Sequence, residues 1–208
     1  MTIENTPWRP RRAAAGMGAL LALAGCGVSP ADPPAEPVEV PFVVSDLYSP
    51  DGFFGDGETR GQLELEKQCP QRQPGAEGDC YTISYHPGVK RFAGIFWQFP
   101  HNNWGFWPGY VIAAGAKRIT FRARGEKGGE SVSFGAGQTG TPNPHNDAFK
   151  LDGITKTLTT AWQDYEIPFF GNDYQSDSGV IGAFMVSFPA GDDDQTVRFY
   201  VDDIRWAP

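Results

Sequence analysis

The chain has 208 residues, a formal net charge of −8, 40% hydrophobic residues and an unusual load of 26 glycines and 18 prolines. The acidic balance argues against nucleic acid and against an anionic membrane surface as partners, since both would repel it. It also disfavours a polyanionic glycan and leaves neutral sugars or bound cations as suitable ligands.

Residues 1–25 read as a targeting segment rather than as structure. Arg9, Arg11 and Arg12 form a basic start, and the apolar run from Ala13 to Ala24 is too short to span a bilayer. Leu23-Ala24-Gly25-Cys26 resembles the lipobox of bacterial lipoproteins at all four positions. The resemblance implies cleavage before Cys26 and a lipid on its thiol. Gly27, and not an aspartate, follows the cysteine, which implies the outer membrane of a two-membrane bacterium. Membrane contact is then expected through the lipid anchor only. Pro10 before Arg11-Arg12 and the alanines after it depart from the twin-arginine pattern, so general export is favoured. The plainer alternative is an ordinary secretory signal with an incidental cysteine. Removing the leader takes away three arginines and Glu4, so the mature formal charge becomes −10.

Residues 26–41 read as the lipidated cysteine and a tether. Pro30, Pro33, Pro34, Pro37 and Pro41 alternate with Ala, Glu and Val, a composition that stays extended and buries no core. Residues 42–208 are long enough for one domain with a sizeable core. Outside the cytosol, Cys69 and Cys80 are expected to pair around the polar loop 70–79. Closing so short a loop stabilises the fold by about 3 kcal/mol at most.

The domain reads as all-β. Short runs with period-two alternation, punctuated by Gly, Pro, Asn and Asp, predict strands at 42–45, 62–66, 81–85, 92–98, 118–124, 131–136, 154–158, 164–168, 180–188 and 197–206. In 118–124, Ile119, Phe121 and Ala123 share one face, while Arg118, Thr120, Arg122 and Arg124 share the other. Gly125-Glu126-Lys127-Gly128-Gly129 reads as a hairpin loop to the next strand. Outside the leader no segment carries a helical period of ten residues or more. About ten strands in this length predict a two-sheet sandwich of the jelly-roll kind.

Residues 92–110 hold 8 of the 28 aromatic side chains: Phe92, Phe96, Trp97, Phe99, Trp104, Phe106, Trp107 and Tyr110. Pro100-His101-Asn102-Asn103-Trp104-Gly105-Phe106-Trp107-Pro108-Gly109 reads as a surface loop. Flat rings beside amide groups suit a sugar, which has an apolar C–H face and a polar rim. Trp104 and Trp107 are the candidate stacking platforms. Gln98, Asn102 and Asn103 are candidates for bonding hydroxyls, with His101 beside them. Alternation on the strand puts Phe96 and Gln98 on one face and Ile95, Trp97 and Phe99 on the other, and one of the two sets must be core. Trp97 is therefore either a core residue or a platform. The block as a whole either binds ligand or folds back to cap the sandwich.

In the last strand Val197, Phe199 and Val201 set one face, and the apolar phase then slips at Asp202-Asp203 before Ile204 and Trp206. Such a slip predicts a β-bulge. Phe199-Tyr200-Val201-Asp202-Asp203-Ile204 resembles the closing strand of galactose-binding-like β-sandwich modules. Trp162-Gln163-Asp164-Tyr165-Glu166-Ile167 resembles their Trp-x-x-Tyr-x-Ile strand. Many carbohydrate-binding modules have this fold. The resemblance implies non-catalytic binding of a neutral glycan or polysaccharide. It also implies a structural calcium between the closing strand and an N-terminal acid, with Asp46, Asp56, Asp202 and Asp203 as ligands and Asp51 also available. Asp51-Gly52 and Asp56-Gly57 read equally well as turns.

Two competing functions remain open at this point. A surface lipoprotein could instead dock a protein partner on its aromatic patch. A jelly-roll lyase or glycosidase could use His101 and Asn102 with Tyr110 or Tyr85, although the chain has no Gly-x-Ser-x-Gly elbow and no His pair at i, i+4. The polar segments 139–146 and 171–179 are further candidate site loops, provided they share an end of the sandwich.

Overall fold

The computed structural model describes residues 36–171, 173–188 and 195–208. The leader, Cys26 and the tether as far as residue 35 lie outside the described residues. Eleven strands are described: β1 (Phe42–Val43), β2 (Ser49–Gly55), β3 (Leu63–Glu66), β4 (Tyr81–Tyr85), β5 (Ala93–Gln98), β6 (Arg118–Gly125), β7 (Ser131–Ala136), β8 (Leu151–Thr157), β9 (Gln163–Pro168), β10 (Gly182–Phe188) and β11 (Val197–Ala207). They form two antiparallel sheets. One has the order β3-β4-β11-β6-β9 with β1 also on β11, and the other has the order β2-β5-β10-β7-β8. This is the jelly-roll sandwich that the alternation predicts.

The core lies between the sheets because each strand sends every second side chain inward. Ile119, Phe121 and Ala123 of β6 are buried, as are Ile95 and Trp97 of β5 and Phe184 and Val186 of β10. Phe121 meets Phe134 at 4.6 Å and Phe184 at 5.2 Å between ring centroids, so aromatic contacts join the two sheets directly. Trp206 is fully buried, and its indole nitrogen donates to Ala183 O at 2.9 Å, tying the end of β11 to the start of β10.

Three features differ from the sequence reading. β2 occupies a segment read there as turns, because Asp51-Gly52 and Asp56-Gly57 mask the alternation of Phe53 and Phe54. It is an edge strand, the place where a proline such as Pro50 is tolerated. Residues 125–129 do not close a hairpin: β6 and β7 belong to different sheets, so this turn crosses the sandwich. The domain also begins earlier than residue 42, since Val38 N donates to Val111 O and Ala113 N donates to Val38 O, both at 2.8 Å.

Cys69 and Cys80 are bonded, as expected. The loop they close packs on the outer face of the six-stranded sheet, where Gln71 O accepts from the Trp162 indole at 2.8 Å. Reduction is expected to lower stability by about 3 kcal/mol, read from urea unfolding with and without reductant.

Candidate functional site

The aromatic loop after β5 is built around Asn103. Its Nδ2 donates to Phe99 O at 3.0 Å and to Trp107 O at 2.8 Å, and its Oδ1 accepts from Gly105 N and Trp107 N at 3.1 and 3.2 Å. Both donors and both acceptor positions of the amide are thereby used on the loop's own backbone. Gly105 sits at φ +91°, and a Cβ there would stand 2.3 Å from His145 O, so only glycine lets the 139–146 loop lie this close. That loop is fastened by Asn143 Nδ2 to Trp104 O at 2.7 Å and by His145 N to Gly105 O at 3.0 Å. The 171–179 loop joins at the same end, with Gly109 N donating to Ser178 O at 2.7 Å. All three loops singled out in the sequence therefore meet.

Beneath them runs a buried polar chain. Gln98 Nε2 donates to Gln138 Oε1, and Gln138 Nε2 donates to Asn103 O at 3.0 Å. Asp147, almost fully buried, accepts from the backbone N–H groups of Gln138, Ile181 and Gly182 at 2.5, 2.6 and 3.0 Å. Burial pushes its carboxyl up to about 6, while the three N–H donors pull the other way.

The outer face of the five-stranded sheet carries an aromatic stripe. Phe54 of β2 and Phe96 of β5 have ring centroids 5.5 Å apart, and Trp104 meets Phe96 edge-on at 6.2 Å. A Cβ on Gly94 would stand 2.0 Å from Phe54 Cζ, so the Phe54 ring lies down over the glycine and turns its other face outward. Phe54, Phe96 and Trp104 are all partly exposed. A groove of about 230 Å³ runs on from the stripe, lined by Phe54, Phe96, Met185, Ser187, Lys150 and Asp152 among others. Two of its polar members are paired, with Lys150 Nζ 2.7 Å from Asp152 Oδ1.

The predicted ligand residues divide clearly on this geometry. Trp104 stands in the stripe. Asn102 lies beside it, with its Oδ1 accepting from the Trp104 indole at 3.1 Å. Trp107 is exposed, but among the described residues no ring contact ties it to the stripe. Trp97 is a core residue, packed between Tyr81 and Phe184 at 5.2 Å from each. Gln98 and Asn103 are about 1% exposed: the Asn103 amide is spent on the loop backbone, and Gln98 Nε2 donates to Gln138 while its Oε1 has no protein partner. His101 pairs with Asp51, which also accepts from Asn102 N at 3.0 Å. Burial raises the Asp51 carboxyl, against the opposing pull of Asn102 and His101. Of the tyrosines considered for a lyase, Tyr110 stacks on Phe99 at 3.8 Å, and the Tyr85 hydroxyl donates to Asp56 at 2.9 Å. Sequence reasoning did not single out Phe54, Phe96 and Met185, which line the stripe and its groove. The signal available was the choice of faces on β5: once Ile95 and Trp97 are core, Phe96 must point out.

The outer face of the six-stranded sheet carries charged side chains and a groove of about 380 Å³ lined by Thr120, Arg122, Asp164, Glu166 and Asp203 among others. Arg124 is buried over the rings of Tyr200 and Trp162, at 4.2 and 5.5 Å from their centroids. The predicted bulge is present, with a register shift after Asp202 and Asp203 at φ 54°. The acids considered for calcium have the following surroundings. Both oxygens of Asp202 accept from the Arg72 guanidinium at 3.0 Å. Asp203 accepts from Arg205 at 2.7 Å. Asp56 accepts from Tyr85 Oη, Gly88 N and Lys90 N. Burial would raise its carboxyl, yet these donors hold it below the ordinary carboxylate range. Asp46 lines a surface groove with Glu77 and Arg205, both of which also bond Asp203. Among the described residues no group of three His, Cys, Asp or Glu side chains is placed to hold a metal ion. Arg72 supplies the positive charge that the bulge requires. Arg72→Ala is expected to cost about 2 kcal/mol by stranding the buried Asp202 carboxylate, a value reduced because Arg72 itself is partly exposed.

No family model matches the chain, and no curated protein matches it. Among solved structures it is similar to a family 30 carbohydrate-binding module of the cellulosomal cellulase Cel9D-Cel44B of Clostridium thermocellum (17% identity, 76% of this chain and 92% of that one, TM-score 0.47). It is also similar to a family 11 module of the cellulosomal cellulase Lic26A-Cel5E of Clostridium thermocellum (14%, 80% and 94%, TM-score 0.44). A third is TmCBM61 in complex with beta-1,4-galactotriose (15%, 78% and 91%, TM-score 0.43). The likeness is one of two-sheet layout, and the chemistry of the groove rests on this chain's own residues.

Proposed function

We propose that this chain binds a neutral glycan, without catalysis, on the outer face of the five-stranded sheet, and that a lipid on Cys26 holds it outside the cytoplasm. The observation that carries the binding reading is the Phe54 ring laid over Gly94 beside Phe96 and Trp104. On an otherwise polar sheet face such a stripe has no core to fill. Its rings offer apolar faces to the C–H face of a sugar, and Ser187, Asn102, Lys150 and Asp152 stand within the same region to bond hydroxyls. Neutral sugars suit it because the mature chain is strongly acidic. The anchor reading rests on Leu23-Ala24-Gly25-Cys26.

A glycan array on the purified protein tests the binding reading, run with calcium and with EDTA. Binding to a defined neutral oligosaccharide in both conditions is expected. A blank array from folded protein would overturn the glycan reading and leave a protein partner as the occupant of the stripe. Cleaved oligosaccharide would overturn the non-catalytic part.

A further inference from the structure

The chain joins the sandwich at Val38, paired in parallel with Ile112. Cys26 stands 12 residues earlier, and that length spans at most about 40 Å fully extended. The end of the sandwich that receives Val38 is therefore the end held nearest to an anchor on Cys26.

This end carries four of the six large hydrophobic side chains that are exposed among the described residues: Phe106, Trp107, Val111 and Phe170. The other two, Val89 and Phe92, flank the turn into β5 at the opposite end. The four belong to loops bound to one another. Tyr110 bridges to Val180, Phe169 N donates to Lys117 O at 2.9 Å, and Tyr174 Oη donates to Ala113 O at 2.8 Å. The sandwich does not need these side chains to close. Phe99, Tyr110 and Tyr48 already stack across its end beneath them, and Phe170 is 88% exposed next to the buried Phe169.

We infer that this end is seated in the headgroup region of a lipid bilayer, with Trp107, Phe106 and Phe170 as the inserted side chains. The inference rests on the lipid-anchor reading above. Trp and Phe on loops favour the interface between water and lipid, where an apolar ring and a polar edge are both satisfied. Charged groups at this end are mixed, with Lys117 and His145 beside Asp173 and Asp177, and the chain as a whole is acidic. The lipid that fits is therefore zwitterionic, since anionic headgroups would repel the protein. A lipid on a single cysteine sets no orientation of the domain by itself. This contact fixes it and turns the glycan groove, on the side of the sandwich, toward the aqueous phase.

The test uses the full chain produced in a bacterium that processes lipoproteins, reconstituted into phosphatidylcholine vesicles with brominated acyl chains. Tryptophan emission is expected to be quenched relative to unbrominated vesicles. Trp107→Phe is expected to lose most of that quenching while still floating with the vesicles. Phe170→Trp is expected to gain quenching. Unquenched wild-type protein that floats with the vesicles would overturn the seating and leave the anchor standing. Equal quenching in wild type and Trp107→Phe, with no gain in Phe170→Trp, would also overturn it. Protein that stays in solution would overturn the anchor and the seating together. Concentration-dependent dimers without quenching would assign these side chains to a second copy instead.

Discussion

Asp147→Asn is expected to destabilise the protein by about 3 kcal/mol, the largest loss we anticipate from a single isosteric change. Both carboxylate oxygens accept from backbone N–H groups, Oδ1 from Ile181 and Oδ2 from Gln138 and Gly182. An amide has one acceptor oxygen, so either orientation turns an NH₂ group toward a buried N–H donor. The unsatisfied donors each cost about 1–3 kcal/mol. Urea unfolding at pH 7 measures the loss, and an unchanged midpoint would remove Asp147 from the role given to it. The pH dependence adds a second signature. The folded state holds this carboxyl up at about 6, above its ordinary 3.8, and so binds the proton more tightly than the unfolded chain. The corresponding stability is complete below about pH 4 and is lost as pH rises through about 6. The asparagine variant lacks this slope, so the gap between the two proteins is expected to widen from pH 7 to pH 4.5. Asp56 works in the opposite sense. Its lowered carboxyl contributes stability that is present above about pH 4 and is lost as pH falls through the lowered value.

Phe96→Ala is expected to weaken glycan binding by about 2 kcal/mol, or roughly 30-fold in Kd, with Trp104→Ala close to it. Phe96 is central to the stripe, touching Phe54 on one side and Trp104 on the other. Because it points away from the core, its loss should leave the fold intact, whereas Ile95→Ala on the same strand is expected to cost about 3 kcal/mol of stability. Isothermal titration with the oligosaccharide found on the array separates the two effects. Equal affinity in wild type and Phe96→Ala would move the ligand elsewhere. Gly94→Ala offers a check that removes no aromatic group. The added methyl would lift the Phe54 ring off the sheet, and weaker binding is expected with all three rings still present. Trp107→Phe is expected to leave glycan affinity unchanged, which separates the stripe from the end of the sandwich.

The strands that alternate cleanly were legible in the sequence, because a period of two is a local property. β6, with Ile119, Phe121 and Ala123 inward, is the clearest case, and the bulge at Asp202-Asp203 was legible for the same reason. β2 was not, since its glycines and Pro50 carry turn chemistry and only pairing with β5 makes them a strand. The disulfide could be anticipated by counting cysteines. Its docking on Trp162 and Arg124 could not, because those contacts join residues far apart in the chain.

For the site, the sequence located the aromatic block and its neighbouring polar loops, since composition alone marks a loop. It left Phe96 and Trp97 undecided between core and surface, as alternation fixes which residues share a face but not which face is buried. That choice belongs to the packing of one sheet on the other. The amides of Gln98 and Asn103 show the same limit. Their amides suit a sugar as well as a protein partner, and only the folded chain shows that Asn103 is fully used on its loop and that Gln98 is buried with its Nε2 on Gln138. Asp202 follows this pattern too, because the guanidinium that meets it belongs to Arg72, 130 residues away in the chain. The sequence by itself determined strand periodicity, the bulge, the cysteine pair and the aromatic loop, all of which follow from near neighbours. Tertiary structure alone decided which ring faces out, which amide is free and which charge is paired, because each depends on groups that meet only once the sheets close.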